Sequence, residues 1–173
     1  MTHDSKERYG IISRIFHWGM ALLIGWQLLK LFDRVNDGEH WVGQTLVPWH
    51  VSIGTLLLLL IVLRIVWALK QSGQRPEHDA ANAFLVKAGH GLLYVGMLLM
   101  PLSGIAIMLS KGYGLKAFGM QLVERGVELP WLSSLASLHV PLAWALLILA
   151  LGHIGMAFLH HFIKKDGTLR RMA

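Results

Sequence analysis

Cysteine is missing from this chain of 173 residues. Its absence excludes disulfide bonds, iron–sulfur clusters held by thiolates and covalent haem attachment through a Cys-x-x-Cys-His motif. Nucleotide sites of the Gly-x-Gly-x-x-Gly or phosphate-loop kind are excluded too, because neither motif occurs. Any strong metal ligands must therefore come from the ten histidines.

Charge is also scarce. Asp, Glu, Lys and Arg make up 15% of the residues, against about 25% in a typical soluble domain. A membrane-spanning helix needs about 20 mostly apolar residues, and four blocks qualify: residues 15–32, 49–69, 88–109 and 135–163. The sequence predicts an all-α integral membrane protein, a four-transmembrane-helix bundle that forms one domain over residues 1–173. The first block lacks a small-residue cleavage site, so we expect it to be retained.

The basic residues predict the orientation of the bundle, because cytoplasmic segments carry an excess of Lys and Arg. Eleven of the 16 lie in the N-terminal segment, in the second connection with its flanks, or in the C-terminal tail. The other five are Lys30, Arg34, Lys111, Lys116 and Arg125. We expect both termini to be cytoplasmic in a multi-pass membrane protein. The net charge of +6 then reflects membrane topology and not a nucleic-acid partner.

Histidines occur at two depths of the predicted bundle, and a histidine inside a span is a functional candidate by default. His139 and His153 are fourteen residues apart, which puts them on one helix face and separates them by roughly 21 Å. That distance suits two stacked macrocycles. By topology, His50 lies at the periplasmic depth of His139, and His17 at the cytoplasmic depth of His153. Two pairs of ligands follow, and paired imidazoles leave no open axial position, which favours electron transfer.

Two further histidines leave alternatives open. His90 lies at about the depth of His17 and His153, and spacing alone does not decide which two of the three bind iron. His160 lies seven residues beyond His153, where it either touches a quinone headgroup or is solvated at the interface. No metal role is expected for the remaining four, His3, His40, His78 and His161.

Several short segments, in order and at similar spacings, resemble the bacterial cytochrome b561 family over nearly the whole chain. They are Arg14-Ile-Phe-His17-Trp18, His50-Val-Ser-Ile-Gly54 with Arg64, His90-Gly-Leu-Leu-Tyr94 up to Pro101-Leu-Ser-Gly104, Leu138-His139, His153, His160-His161, and Lys165-Asp-Gly-Thr-Leu169. The resemblance implies a four-helix inner-membrane cytochrome with two haems b. It places the family's iron ligands on His17 with His153 and on His50 with His139. His90 would then contact a propionate or a quinone instead.

Haem propionates near a bilayer need cationic partners. Arg14, Arg64 and Lys87 lie at the level of the cytoplasmic haem, and we expect them to supply these partners. The alternative for each is simple positive-inside anchoring.

Three functions compete. The first is a superoxide:ubiquinone oxidoreductase, since the family includes superoxide oxidases; Lys111, Lys116 and Arg125 would then steer superoxide to the periplasmic haem, unless their loop only caps the bundle. The second is a haem-containing membrane anchor that passes electrons between a dehydrogenase or hydrogenase partner and the quinone pool. The third, a transporter or metal-binding bundle without haem, accounts less well for the histidines inside the spans.

Overall fold

The computed structural model describes residues 1–33, 41–76 and 83–172. Four helical segments are long and apolar enough to cross a membrane: Ile11–Phe32, Val47–Lys70, Ala83–Ser110 and Pro130–Lys164. Each predicted block lies inside one of these segments, so the prediction of a four-helix membrane bundle is confirmed. The first, third and fourth segments begin four or five residues before the predicted blocks, because helix continues beyond the most apolar stretch. We call the end of the bundle that holds both chain termini the terminal side, and the opposite end the loop side.

The helices are α1 (Ile11–Leu28), α2 (Lys30–Asp33), α3 (Trp41–Thr45), α4 (His50–Lys70), α5 (Ala83–Ser110), α6 (Ser133–Ser137) and α7 (His139–Phe158). Short 3₁₀ turns lie at Val47–Trp49, Ser72–Gln74, Pro130–Leu132 and Leu169–Arg171. A π-helix, Leu159–Lys164, continues α7 toward the terminal side. The fourth span is thus longer than a bilayer requires, as its sequence predicts.

Two prolines lie inside long helices without ending them. Pro101 interrupts the hydrogen-bond ladder of α5, a loss that neighbouring helices can offset inside a membrane bundle. Pro141 is the third residue of α7. In the first turn of a helix the backbone N–H has no intrahelical partner in any case, so proline is tolerated there.

A β-hairpin occupies part of the connection that the sequence predicts as a loop. Its strands are β1 (Leu115–Ala117) and β2 (Met120–Val123), which pair antiparallel. Phe118 and Gly119 join them with φ values of 50° and 82°, as the twist of a two-residue hairpin turn demands. The Phe118 N–H donates to Oγ of Ser52 at 3.0 Å. The hairpin therefore lies against the first turn of α4 on the loop side.

The best-packed part of the bundle lies between α1 and α4, where Met20, Ile53, Leu57 and Ile61 are buried. Large apolar residues elsewhere on the helices are exposed, as a lipid-facing surface requires. Backbone contacts join α1 to α4, α4 to α5 and α5 to α7. Among the described elements, α7 makes no extensive backbone contact with α1 or α4, so side chains and any cofactor must fill the space between them.

A buried carboxylate organises the terminal side. Oδ1 of Asp4 accepts bonds from the N–H of Gly10 at 2.9 Å and the hydroxyl of Ser13 at 2.6 Å. Its Oδ2 accepts a bond from Nε of Arg75 at 3.1 Å. The Asp4 side chain is fully buried. These four residues, which we call the terminal cap, tie the N-terminal segment to the start of α1 and to the chain beyond α4.

Aromatic residues extend the terminal cap. Nε1 of Trp67 donates to Oγ of Ser13 at 2.9 Å, and His3 stacks on the Trp67 ring. The Tyr9 N–H donates to the carbonyl of Arg171 at 3.0 Å, which adds the C-terminal segment. Burial raises the pKa of the Tyr9 phenol, although the nearby Arg75 opposes the shift. His3 is thus part of the packing around the terminal cap.

Candidate functional site

Two histidines face each other on the loop side, and each is the first residue of a helix. His50 opens α4 and His139 opens α7. Their ring centroids are 6.0 Å apart and the ring planes are nearly perpendicular, at 86°. The predicted periplasmic pair is therefore brought together, although its two helices make little backbone contact.

A second pair lies on the terminal side. His17 is in the second turn of α1 and His153 is near the end of α7. Their ring centroids are 6.1 Å apart, with an angle of 62° between the planes. Along α7 the two pairs are separated by roughly 21 Å, since fourteen residues rise 1.5 Å each.

The spacing within each pair suits one metal ion between two imidazoles. An imidazole nitrogen lies about 2 Å from a transition metal, which puts the ring centroid roughly 3 Å from it. Two imidazoles on opposite sides of one metal would then have centroids about 6 Å apart. Both observed distances match this value, so the residues fit the axial ligands of two haems.

A cavity of about 400 Å³ adjoins the loop-side pair. Pockets for small molecules and cofactors typically have volumes of about 300–1,000 Å³. Its walls are mostly apolar residues of α1, α4, α5 and α7, and His50 and His139 both line it. Gly54, one turn after His50, also lines it and has no side chain to fill it. The size and the apolar lining of this cavity suit an apolar cofactor.

His139 is held by two neighbours on α5. The Ser103 hydroxyl donates to the carbonyl of Met100 at 2.8 Å, so its oxygen accepts the bond from Nδ1–H of His139 at 3.0 Å. A bond at Nδ1 fixes the tautomer that leaves the Nε2 lone pair for a metal. Gly104 leaves room for the ring, because a Cβ there would lie 3.0 Å from Cε1 of His139.

His50 is supported differently. The side-chain amide of Gln27 donates to the His50 backbone carbonyl at 2.8 Å, which ties α1 to the start of α4. Nδ1 of His50 is buried and has no hydrogen-bond partner within the described parts of the chain. In the loop-side pair, His139 is therefore held by a hydrogen bond to its ring, whereas His50 is held by a hydrogen bond to its backbone.

Two further residues join the terminal-side pair. Nη2 of Arg64 lies 3.3 Å from Nδ1 of His17, and its guanidinium carbon lies 5.4 Å from the centre of the Tyr94 ring. His90 is near His153, with ring centroids 5.4 Å apart. The structure thus brings His17, His90 and His153 together, with Arg64 beside them. Sequence spacing did not decide which two of these three histidines bind iron.

Arg14 and Lys87, the other predicted propionate partners, lie about one helical turn from His17 and His90. Arg14 is half-buried and Lys87 is exposed. In the described residues, no group of three or more His, Asp or Glu side chains is arranged to hold a metal ion.

His160 has a partner that the sequence did not predict. Its Nδ1 lies 2.5 Å from Oδ2 of Asp166. Hydrogen bonds from Thr168 and then His160 hold the pKa of Asp166 well below its usual range. The signal available in the sequence was the Asp-Gly-Thr turn directly after the fourth span. His161 packs against Phe162 instead.

The remaining predictions concern the loop side and exposed segments. Lys111, Lys116 and Arg125 are exposed on or beside the hairpin. None of them forms an ion pair with another residue in the described parts of the chain. His40, His78 and Arg34 lie outside the described residues. The three loop-side cations are therefore available to small anions in solution.

Comparisons with known proteins agree with this geometry. Residues 8–173 match the family model described as prokaryotic cytochrome b561. The chain is 33% identical to cytochrome b561 homolog 2 of Escherichia coli, over 98% of this chain and 93% of the relative. It is 27% identical to a probable superoxide oxidase of Yersinia pestis, over 96% of both chains, and 29% identical to cytochrome b562 of Cereibacter sphaeroides, over 90% of this chain and 89% of the relative. Haem b binding, membrane electron transfer and a multi-pass location in a bacterial membrane follow from the family, and the chain belongs to the prokaryotic cytochrome b561 family.

Proposed function

We propose that this protein holds two haems b, one between His17 and His153 and one between His50 and His139, and passes electrons from superoxide to ubiquinone. The observation that carries the proposal is the pair of matching centroid distances, 6.1 and 6.0 Å, at two levels of one bundle. When bound, the haems carry single electrons by changing between ferric and ferrous iron. The four histidines would hold and orient them.

The direction of transfer rests on charge and on the relatives. The terminal side carries most of the basic residues, so it faces the cytoplasm, and the loop side faces the periplasm. Superoxide gives up one electron on the loop side and leaves as O₂. Two such events, with two protons from the terminal side, convert ubiquinone to ubiquinol. The relative named as a probable superoxide oxidase supports this donor.

Lys111, Lys116 and Arg125 favour superoxide through their electrostatic field. They are exposed near the hairpin that lies against the first turn of α4. A positive field of this kind raises the association rate of a small anion by about 10–10³-fold at low salt. Glu124 and Glu128 lie in the same connection and weaken the field. Within this connection three cations face two carboxylates, so the connection itself carries one net positive charge.

Arg64 has a separate role on the terminal side. Arginine only donates hydrogen bonds, so its contact with Nδ1 of His17 requires that nitrogen to accept. A His17 that binds iron through Nε2 carries its hydrogen on Nδ1, and the contact is then lost. The guanidinium can then bind a haem propionate. Arg14 and Lys87 lie at the same level of the bundle and are the other two cations proposed to contact the propionates.

His160 and His90 are the residues proposed for the quinone end. The His160 ring is oriented by Asp166, so its other nitrogen is positioned to exchange a proton with a quinone oxygen. His90, near His153, contacts the same haem edge or the quinone. Both lie on the terminal side, where protons from the cytoplasm are available.

Haem analysis and rapid mixing test the proposal together. Pyridine haemochrome analysis of the purified protein should give two haems b per chain, with His139→Ala losing mainly one and His153→Ala mainly the other. One haem or none in the wild type refutes the ligand assignment. Oxidised, quinone-loaded protein mixed with superoxide should become reduced faster at low salt than at high salt.

A second function remains in competition, that of a membrane anchor for a dehydrogenase or hydrogenase. The apolar, exposed residues of the hairpin, among them Phe118 and Met120, favour it because they offer a contact surface. Slow reduction by superoxide, with no dependence on salt and no change in a Lys111→Glu, Lys116→Glu variant, would assign the protein to this class.

A further inference from the structure

We infer that Lys30 forms a carboxylate-binding site at the loop-side cavity and pairs there with a propionate of the haem held by His50 and His139. This inference rests on the proposed function, because it requires a haem in that cavity. It assigns a role to a basic residue that the sequence uses only to predict the orientation of the bundle. The ligand class is a carboxylate on the edge of an apolar macrocycle.

The lining of the cavity is the first argument. Of the described residues that line it, Lys30 alone carries a permanent charge, and none is an Asp or a Glu. The other polar side chains in the wall are Gln27 and the two histidines. A haem carries two carboxylates, and these need cationic or hydrogen-bonding partners near a bilayer. The described part of the lining therefore offers the propionates one cation and no competing anion.

The backbone around Lys30 is the second argument. α1 ends at Leu28, and the N–H of Leu29 still bonds to the carbonyls of Gly25 and Trp26, at 3.3 and 3.2 Å. Lys30 then begins α2. Three residues earlier, Gln27 bonds to the backbone carbonyl of His50. The position of Lys30 is therefore tied to the helix end that carries one of the two ligands.

The state of the ammonium group is the third argument. Lys30 is exposed at the end of the first span, and it forms no ion pair with any other described residue. Binding a propionate therefore breaks no existing ion pair. The competing arrangement directs the lysine outward to lipid phosphates, as snorkelling lysines do at helix ends. The two arrangements differ in whether replacing Lys30 alters the binding and the midpoint potential of the haem.

The experiment compares wild type, Lys30→Met and Lys30→Arg in one detergent, with Lys70→Met as a matched control, because Lys70 is also an exposed lysine at the end of a span. The readouts are the haem count, the rate of haem transfer to excess apomyoglobin, and the midpoint potential of each haem. Partly exposed ion pairs contribute about 0.2–1 kcal/mol, so Lys30→Met should weaken retention of the loop-side haem by up to about fivefold. Lys30→Arg should retain most of the effect, and Lys70→Met should match the wild type.

Reconstitution with haem dimethyl ester supplies the decisive comparison, because the ester has no propionate charges. The difference between wild type and Lys30→Met should disappear with the ester. A difference of the same size with haem and with the ester would overturn the inference, as would a Lys30→Met protein that retains haem like the wild type. A wild type with fewer than two haems would instead refute the proposed function, and the inference with it.

Discussion

Replacing Ser103 with alanine should selectively weaken the loop-side haem. Ser103 is completely buried, and its hydroxyl is bonded to both Nδ1 of His139 and the carbonyl of Met100. The substitution removes the hydroxyl partner of the imidazole Nδ1 at a half-buried histidine. A buried polar group left unpaired costs about 1–3 kcal/mol. Loss of a residue that orients a metal ligand typically lowers metal affinity by about 10–100-fold, a similar magnitude.

The assay measures haem retention and the spectra of both haems in the same sample. Ser103→Ala should lose loop-side haem to apomyoglobin about 10–100-fold faster than wild type, and the terminal-side haem should be unaffected. Ser110→Ala is the matched control, because the Ser110 hydroxyl also bonds to a carbonyl three residues back on the same helix but contacts no histidine. Equal behaviour of the two variants would refute the role given to Ser103, and so would loss of the terminal-side haem.

Three further changes test other parts of the structure. Gly104→Ala should perturb the loop-side haem, because the new methyl group would lie 3.0 Å from an imidazole carbon of His139. Gly25→Ala is its control, because a Cβ there would meet nothing within 4 Å. Identical absorption spectra of the two variants would contradict the expectation. Asp4→Asn should lower the midpoint of thermal unfolding, since it removes the charge from a buried ion pair worth about 1–3 kcal/mol, whereas Ser5→Ala should not. The pKa of Asp166 is lowered in the folded protein, so its contribution to stability is present above the ordinary carboxyl pKa and declines as the pH falls below about 4. The difference in thermal stability between wild type and Asp166→Asn should therefore shrink at acidic pH, and a constant difference would count against the hydrogen bonds seen here.

The spans and the pairing of histidines were predictable because each depends on a regular period. Long apolar blocks define helices that cross a bilayer, and the spacing of His139 and His153 fixes their shared face and separation. The depth of His17 and His50 then follows from which end of its span each occupies. Ligand assignment itself stays a prediction, which the haem measurements above test.

Contacts made by single side chains were not predictable. Ser103 looks like any small residue of a membrane helix, and only its position opposite His139 gives it a role. In the sequence, Asp4 looks like part of a polar N-terminal segment. In the structure it is buried, and one of its partners, Arg75, lies 71 residues further along the chain. The hairpin escaped prediction because its strands contain only three and four residues, too few for an alternating pattern to be distinguished from a loop.

The separation of α7 from α1 and α4 makes cofactor supply part of protein biogenesis. Three helices can associate through their own backbone contacts as the chain enters the membrane, while the fourth, among the described spans, makes extensive backbone contact with α5 alone. Haem would then act as an assembly factor that docks the last helix, and it stabilises the folded state by mass action. Cells short of haem should accumulate a loosely closed form of this protein, which membrane proteases would degrade faster than the loaded form. Pulse-chase turnover measurements in a haem-requiring host would show whether its lifetime follows haem supply.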